Sequence, residues 1–295
     1  MTDGTLEVDV CFIGNYTKDT IVDSRGVRQV DGGAFNYGAN AAVRMGLRTG
    51  AITHLAEEDL HVVRSLEAAG VPTRVLFSPH STCLRLEYPT DNPDDRVIRV
   101  ESIAAAFRPE DLSGLVTRAA VLGASFRGEI PLQTVQSLSA LVPLLALDAQ
   151  GFVRVVREGR LEFEPWPEGK QVLGGVQILK ADIVEAGILT GASDLGQAAR
   201  MLQELGPREI VLTHRDGLLV RAADRNYEAA FRPRQVLGRS GRGDTCLAAY
   251  TCRRLEADPA AATLWAAALT SLKMESPGPF SLGRGAVERL IQDRY

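Results

Sequence analysis

What this chain lacks narrows its role before any motif is weighed. No cluster of lysine or arginine is long enough to track a phosphate backbone, and the 295 residues carry a formal net charge of −4 with a pI near 5.7. Nucleic acid is therefore not an expected partner. No apolar run approaches the roughly 18 residues that mark a bilayer span. The opening MTDGTLEVDVCFIG carries acids where a secretion signal needs a basic stretch and then an apolar one. A cytoplasmic protein with no membrane partner is expected. Cysteine is scarce: Cys11, Cys83, Cys246 and Cys252 stand singly with no C-x-x-C pair, and His54, His61, His80 and His214 show no metal-ligand spacing. That excludes a disulfide framework and a zinc site, and leaves buried thiols as the default. Two common phosphate signatures are also missing, G-x-x-x-x-G-K-[ST] and a G-x-G-x-x-G after the first strand.

What is present is an ordinary globular composition, 45% hydrophobic and 24% charged, in a chain long enough for one large α/β domain. Strand-like and helix-like segments alternate, the pattern of a mostly parallel sheet with helices on its faces. EVDVCFIG (7–14), AITHL, VPTRVLF, AAVLGAS, LLALDAQ, ADIVEA and REIVLTH read as strands. GAFNYGANAAVRMGL (33–47), EEDLHVVRSLEAAG (57–70) and DLGQAARMLQELG (194–206) read as helices, the last with Leu195, Ala198, Ala199, Leu202 and Leu205 on one face. The final third is helical at 258–275 and 283–295. Two stretches break the alternation as antiparallel ribbons: 20–30, turning at Ser24-Arg25-Gly26, and 82–100, turning in a Pro/Asn/Asp segment. The expectation is a single domain over 1–295 with these ribbons as an appended lid. A ribbon edge could pair between subunits, so a homodimer is a candidate assembly.

The stretch VLGRSGRGDTCLAAY (236–250) carries the chemistry. Glycines bare the backbone ahead of Asp244, and a small-residue helix follows. An Asp at such a place is a favoured N-cap by itself. Bare N–H groups at a positive helix end also make an anion site. Cys246, two residues after the acid, has no histidine placed by sequence to activate it, so packing is its preferred role.

With these residues the chain resembles the ribokinase-like, or PfkB-type, carbohydrate kinases. Gly241, Gly243 and Asp244 match the late G-A-G-D of their signature, with Arg242 where alanine is usual. GNYTKD matches the family's glycine and aspartate five apart and brings in Asp19. Gly32-Gly33, followed by Met45-Gly46, matches the early Gly-Gly and the end of its helix, and the usual asparagine falls on Tyr37 beside Asn36. ADIVEAGILTG is similar to N-x-x-E-A-x-x-L-T-G, with Asp182 for asparagine and Glu185 as the glutamate. VLTHRDGLLV is similar to the V-T-x-G-x-x-G nucleotide loop, one residue short and without its first glycine. LDAQGFVR (147–154) and ILKADIVEA (178–186) resemble segments of plant-type myo-inositol kinases.

The resemblance implies a three-layer α/β/α sandwich with a mostly parallel central sheet and a β-ribbon lid. It implies transfer of a phosphoryl group from ATP to a hydroxyl of a small sugar, polyol or cyclitol, with Mg²⁺. Phosphoryl transfer is mainly positioning plus electrostatic stabilisation, and the attacking hydroxyl needs a base. Asp244 would be that base, and the N–H groups of Gly241, Arg242 and Gly243 the anion hole. Asp19, Gly32, Gly33, Asn36 and Tyr37 would hold the acceptor, Thr213 and Gly217 the nucleotide, and Glu185 with Asp182 the metal and its waters. Asp148 and Arg154 could reach the site or pair with each other. Two alternatives stay open: a nucleoside kinase, which an aromatic such as Phe35 or Tyr37 stacking in the acceptor site would favour, and a non-catalytic sugar or nucleotide sensor.

Overall fold

The computed structural model describes residues 4–90 and 96–295. In chain order its strands are β1 (Leu6–Ile13), β2 (Thr17–Asp23), β3 (Gly26–Asp31), β4 (Thr49–Leu55), β5 (Thr73–Phe77), β6 (Thr82–Glu87), β7 (Val97–Ser102) and β8 (Leu115–Leu122). There follow β9 (Leu144–Asp148), β10 (Arg154–Arg157), β11 (Arg160–Phe163), β12 (Ile178–Asp182), β13 (Glu209–Thr213), β14 (Gly217–Ala222) and β15 (Arg225–Ala230).

Nine strands form the main sheet in the order β15-β14-β13-β12-β9-β8-β1-β4-β5. From β13 to β5 every pairing is parallel, and β14 and β15 are added antiparallel at one edge. The parallel strands are apolar on both faces because helices cover both. The period of two sorts their side chains cleanly. Val10, Phe12, Ala119, Val121, Ala146 and Ile178 pack with the helices Ala34–Arg44, Arg242–Arg254 and Pro259–Met274. Cys11, Ile13, Ala120, Leu122, Leu145, Leu147 and Leu179 pack with Leu132–Leu141 and Leu195–Glu204 on the opposite side. This is the three-layer α/β/α sandwich the sequence implies. The helix Leu195–Glu204 buries Ala198, Ala199 and Leu202 from its predicted stripe.

One predicted strand is corrected. ADIVEA is a junction: β12 ends at Asp182, and the helix Ile183–Thr190 starts there because the Asp182 carboxylate accepts from the N–H groups of Val184 and Glu185. The apolar Ile183 and Val184 that suggested a strand lie exposed on its first turn.

The second sheet, in the order β10-β11-β7-β6-β2-β3, is larger than the two expected ribbons. The ribbon at 20–30 is β2 and β3, and the one at 82–100 is β6 and β7, whose Asn-Pro-Asp-Asp turn lies outside the described residues. A third hairpin, β10–β11, completes the sheet, joined where Arg160 pairs with Arg99 of β7. Its tight turn uses Glu158 and Gly159, both with positive φ. Among the described residues no helix is long and apolar enough to cross a membrane.

Candidate active site

The site gathers at the carboxyl ends of the parallel strands, where α/β sheets generally take their ligands. Helix Arg242–Arg254 starts there on Gly241, whose φ of 70° is a left-handed cap that glycine adopts without strain. A side chain on Gly241 would also strike the Tyr37 ring at 2.2 Å. Among the described residues no side chain caps this helix. The Arg242 N–H turns back to the Arg239 carbonyl at 3.2 Å, so it is not free for an anion hole as the motif implied. Neither the Gly243 nor the Asp244 N–H meets a backbone carbonyl among the described residues, which leaves these two orphan donors at the positive helix end. The Arg242 guanidinium lies over the Phe231 ring, 5.8 Å from its centroid.

Asp244 follows in the first turn. Burial pushes its carboxyl above the ordinary Asp range, opposed by the charges of Lys180 and Arg154. A carboxylate shifted toward neutrality is a better base than a free Asp.

Beneath the turn lies a cluster that motif spacing did not reveal. Lys180 shares a strand face with Ile178, so it points toward helix Arg242–Arg254. Its ammonium is 3% exposed, 3.0 Å from the Asp148 carboxylate and 3.5 Å from that of Glu185. A Cβ on Gly243 would meet Lys180 Nζ at 3.0 Å, so the missing side chain lets a fixed cation stand directly under the orphan donors. Burial works against that charge, but Asp148, Glu185 and Asp182 prevail and hold Lys180 above the ordinary lysine range. Asp148 and Arg154 do not pair with each other. Asp148 takes Lys180, and Arg154, itself buried, faces Glu185 at 3.8 Å.

The metal pair separates in role. Glu185 is fully buried, with one oxygen accepting from the Asp182 N–H at 2.7 Å and both oxygens facing cations. Its Oε1 is buried with no hydrogen-bond partner among the described residues, so this oxygen faces Arg154 without being spent on a hydrogen bond. Asp182 is half-buried and its two cap bonds both run to Oδ1, so it can face a hydrated ion. Among the described residues no group of three or more His, Cys, Asp or Glu side chains is arranged around a metal position.

On the acceptor side, Gly32 and Gly33 lead into helix Ala34–Arg44. A Cβ on Gly32 would lie 2.2 Å from Thr17 Oγ1 and 2.7 Å from Asp19 Oδ2, so this crossing presses backbone against the Asp19 carboxylate. Burial pushes Asp19 to about 6, resisted by a Thr17 hydrogen bond and raised further by the charge of Asp244. The two acids therefore stand within electrostatic reach of each other. Among the described residues, Asp19 Oδ1 and the Tyr37 hydroxyl are buried with no hydrogen-bond partner. Burial also raises the Tyr37 phenol, with Asp19 and Asp244 adding to it. Asn36 instead spends its amide on the Asp31 carbonyl at 3.3 Å and on Asn40 at 3.0 Å, a structural role at the helix start. Phe35 and Tyr37 are both buried, so neither ring stands open to stack a base. Burial raises the Cys246 thiol to about 11, which removes it as a nucleophile.

The nucleotide loop becomes the turn between β13 and β14. Thr213 is 1% exposed, and Gly217 is wedged against β15, where a Cβ would meet the Ala229 carbonyl at 2.5 Å. Both residues serve to close that hairpin.

A lidded α/β/α sandwich with an acid at an uncapped helix start defines a phosphotransferase class of site. Searches for a matching family profile and for a curated relative found none. Solved structures do match. A pyrophosphate-dependent kinase in the ribokinase family, determined with a pyrophosphate analog and myo-inositol, is 33% identical over 95% of this chain and 99% of its own, with a TM-score of 0.88. A pyrophosphate-dependent myo-inositol-1 kinase converted by mutation into a myo-inositol-3 kinase is 33% identical over 97% and 99%, also at 0.88. Ribokinase of Arabidopsis thaliana, solved with ribose and ATP, shares the fold at 17% identity and a TM-score of 0.76, over 97% and 99%. The chain belongs to the ribokinase family and is a carbohydrate kinase.

Proposed function

We propose that this kinase transfers a phosphoryl group from inorganic pyrophosphate to a ring hydroxyl of a cyclitol, myo-inositol or a close analogue. The observation that carries the donor is the buried Lys180, held under Gly243 by Asp148 and Glu185. Pyrophosphate has no base or ribose to grip, so its binding must come from charge and N–H donors, and a fixed cation beneath a helix start supplies both. Two relatives at 33% identity use this donor. The residues the nucleotide motif suggested, Thr213 and Gly217, are taken up by hairpin packing, which weakens ATP as the donor.

In this reading the acceptor sits between Asp19 and Asp244, and its hydroxyls complete the unpartnered Asp19 Oδ1 and Tyr37 hydroxyl. Asp244 accepts the proton of the attacking hydroxyl. The Gly243 and Asp244 N–H groups, with Lys180 behind them, take the charge that builds on the transferred group and prepay its reorganisation. Orthophosphate leaves. Asp182 fits a hydrated Mg²⁺ carried on the donor, where the ion would neutralise donor charge. The lid sheet, which carries Asp19 on β2 and Arg154 on β10, excludes water that would otherwise accept the phosphoryl group.

The test measures phosphorylated product and orthophosphate with pyrophosphate or ATP across cyclitols, sugars, linear polyols and nucleosides. Turnover with pyrophosphate and a cyclitol is expected. Turnover with ATP only would replace the donor, a nucleoside product would replace the acceptor, and binding without any product would leave the sensor.

A further inference from the structure

Lys273 is the other buried lysine of this region, and among the described residues no carboxylate makes an ion pair with it. It lies in the last turn of helix Pro259–Met274 and is 1% exposed. Its ammonium donates to two backbone carbonyls, Gly238 at 3.0 Å and Ser240, and stands 5.3 Å from the centroid of the Tyr37 ring. The three donors of a lysine thus face two carbonyls and one aromatic face. Burial lowers its pKa to about 8, with Asp244 pulling it back up. An ammonium without an acid partner is costly to bury. The segment it holds is the one that leads into the helix start.

That segment is fastened twice to the same helix end. The Leu237 and Gly238 N–H groups donate to the Met274 carbonyl at 2.8 and 3.1 Å, while Lys273 draws in the carbonyls of Gly238 and Ser240. A trans peptide is planar, with its N–H opposite its C=O. Turning the Ser240 carbonyl toward Lys273 therefore turns the Gly241 N–H away from it. Gly241 is partly exposed and makes no backbone bond through that N–H among the described residues. A Cβ on Gly241 would lie 2.2 Å from the Tyr37 ring, and the ammonium stands over that same ring, so Tyr37 borders both the turn and its tether.

We propose that Lys273 is a tethered monovalent cation that aims the Gly241 N–H as a further donor of the phosphoryl-binding turn. It is a positioning residue, and it frees the turn from any need for a dissolved monovalent cation. Two converging carbonyls are also the ligands a potassium or ammonium ion prefers, so the side chain and a free ion are interchangeable there. This rests on the turn being the phosphoryl site.

The experiment compares wild type, Lys273→Met and Lys273→Arg in buffers of tetramethylammonium, potassium or ammonium ion. Wild type should be indifferent to the cation. Lys273→Met should lose roughly 10-fold of kcat, less than the roughly 10²-fold or more that removing an oxyanion donor outright costs, because the Gly241 N–H stays and only its aim is lost; acceptor KM should change little, and ammonium or potassium should restore part of the loss. Lys273→Arg should retain more activity than Lys273→Met. Wild type that requires potassium, or a folded Met variant at full kcat, or a loss that no cation repairs, would each overturn the proposal. If the Met variant does not fold, the wild-type salt series and the Arg variant decide. A wild type with no turnover on any donor would sink the functional reading instead, and sulfate affinity by calorimetry would then judge Lys273 alone: expected weaker in the Met variant and recovered by ammonium, with unchanged affinity refuting it.

Discussion

The floor of the site and its lid solve opposite problems. On the floor, around the ends of β9 and β12, the two buried acids each have a cation within 4 Å: Asp148 has Lys180, and Glu185 has Lys180 and Arg154. At the lid, Asp19 has no ion-pair partner and an unpartnered Oδ1 among the described residues, and the charges that act on it are mixed, Asp244 and Asp31 against Arg96. The two buried floor acids are charge-compensated before anything binds, and the buried atoms left without a hydrogen-bond partner there, among the described residues, are Glu185 Oε1 and Arg154 Nε. The lid side is unfinished, with hydrogen-bonding capacity left over for a neutral polyol to complete. The difference follows from where the residues come from. Asp148 and Lys180 sit on parallel strands of the main sheet and Glu185 on the helix that follows β12, whereas Asp19, like Arg154, is carried by the second sheet.

The sharpest way to break this contrast is Lys180→Met. Removing one partner from a buried ion cluster leaves Asp148 without its cation and Glu185 with Arg154 at 3.8 Å, and should cost about 3–5 kcal/mol of folding stability. Denaturant unfolding measures it, and adding Glu185→Gln should recover part of the loss. A Lys180→Met protein as stable as wild type would mean the floor is not charge-coupled. Next in size is Asp244→Asn, which keeps the shape of the first turn and removes the base. Turnover should fall by about 10²-fold or more, with donor affinity near normal by calorimetry. An active Asn variant would take Asp244 out of the mechanism.

Much of this was readable in advance, and the reasons for the rest are specific. Alternating apolar strands and small-residue helices gave the sandwich because both are local, periodic signals. The glycines at 32, 33, 241 and 243 marked close backbone approaches, and the structure has a side chain pressed against each of them. The partners of Lys180 lie 32 and 5 residues away, on a neighbouring strand and a following helix, so only topology assembles them. A lysine inside the run ILKAD was nonetheless a visible signal, since a charge on a buried strand must find an opposite charge. The hairpin at 154–163 was also legible, in the Glu-Gly turn between alternating segments, but its place in the lid rests on one distant pairing with β7. Lys273 gave no motif at all, because its partners are backbone carbonyls.

The smallest expected effects concern Asp19, and they test the lid side of the contrast by the sign of a pH dependence. Its folded pKa of about 6 lies above its ordinary value of 3.8. Between those two values the folded protein keeps a proton that the unfolded chain has released, so stability falls as pH rises across that window. By pH 7 the whole penalty is present. Asp19→Asn removes the ionisable group, so the variant should gain Tm over wild type at pH 7 and gain little at pH 4. It should also bind the acceptor more weakly, because a carboxylate accepts polyol hydroxyls better than an amide does. An acceptor KM raised roughly 10-fold corresponds to the loss of one charged hydrogen bond, and the donor KM should stay near its wild-type value. In wild type the acceptor KM should itself climb as pH drops below about 6, while in the variant that slope should vanish. Stability and binding therefore move in opposite directions at the same residue, as expected where a fold leaves a carboxylate unpaired for a ligand to satisfy. Matching Tm values at both pH values, with an unchanged acceptor KM, would place the acceptor elsewhere and end the contrast between floor and lid.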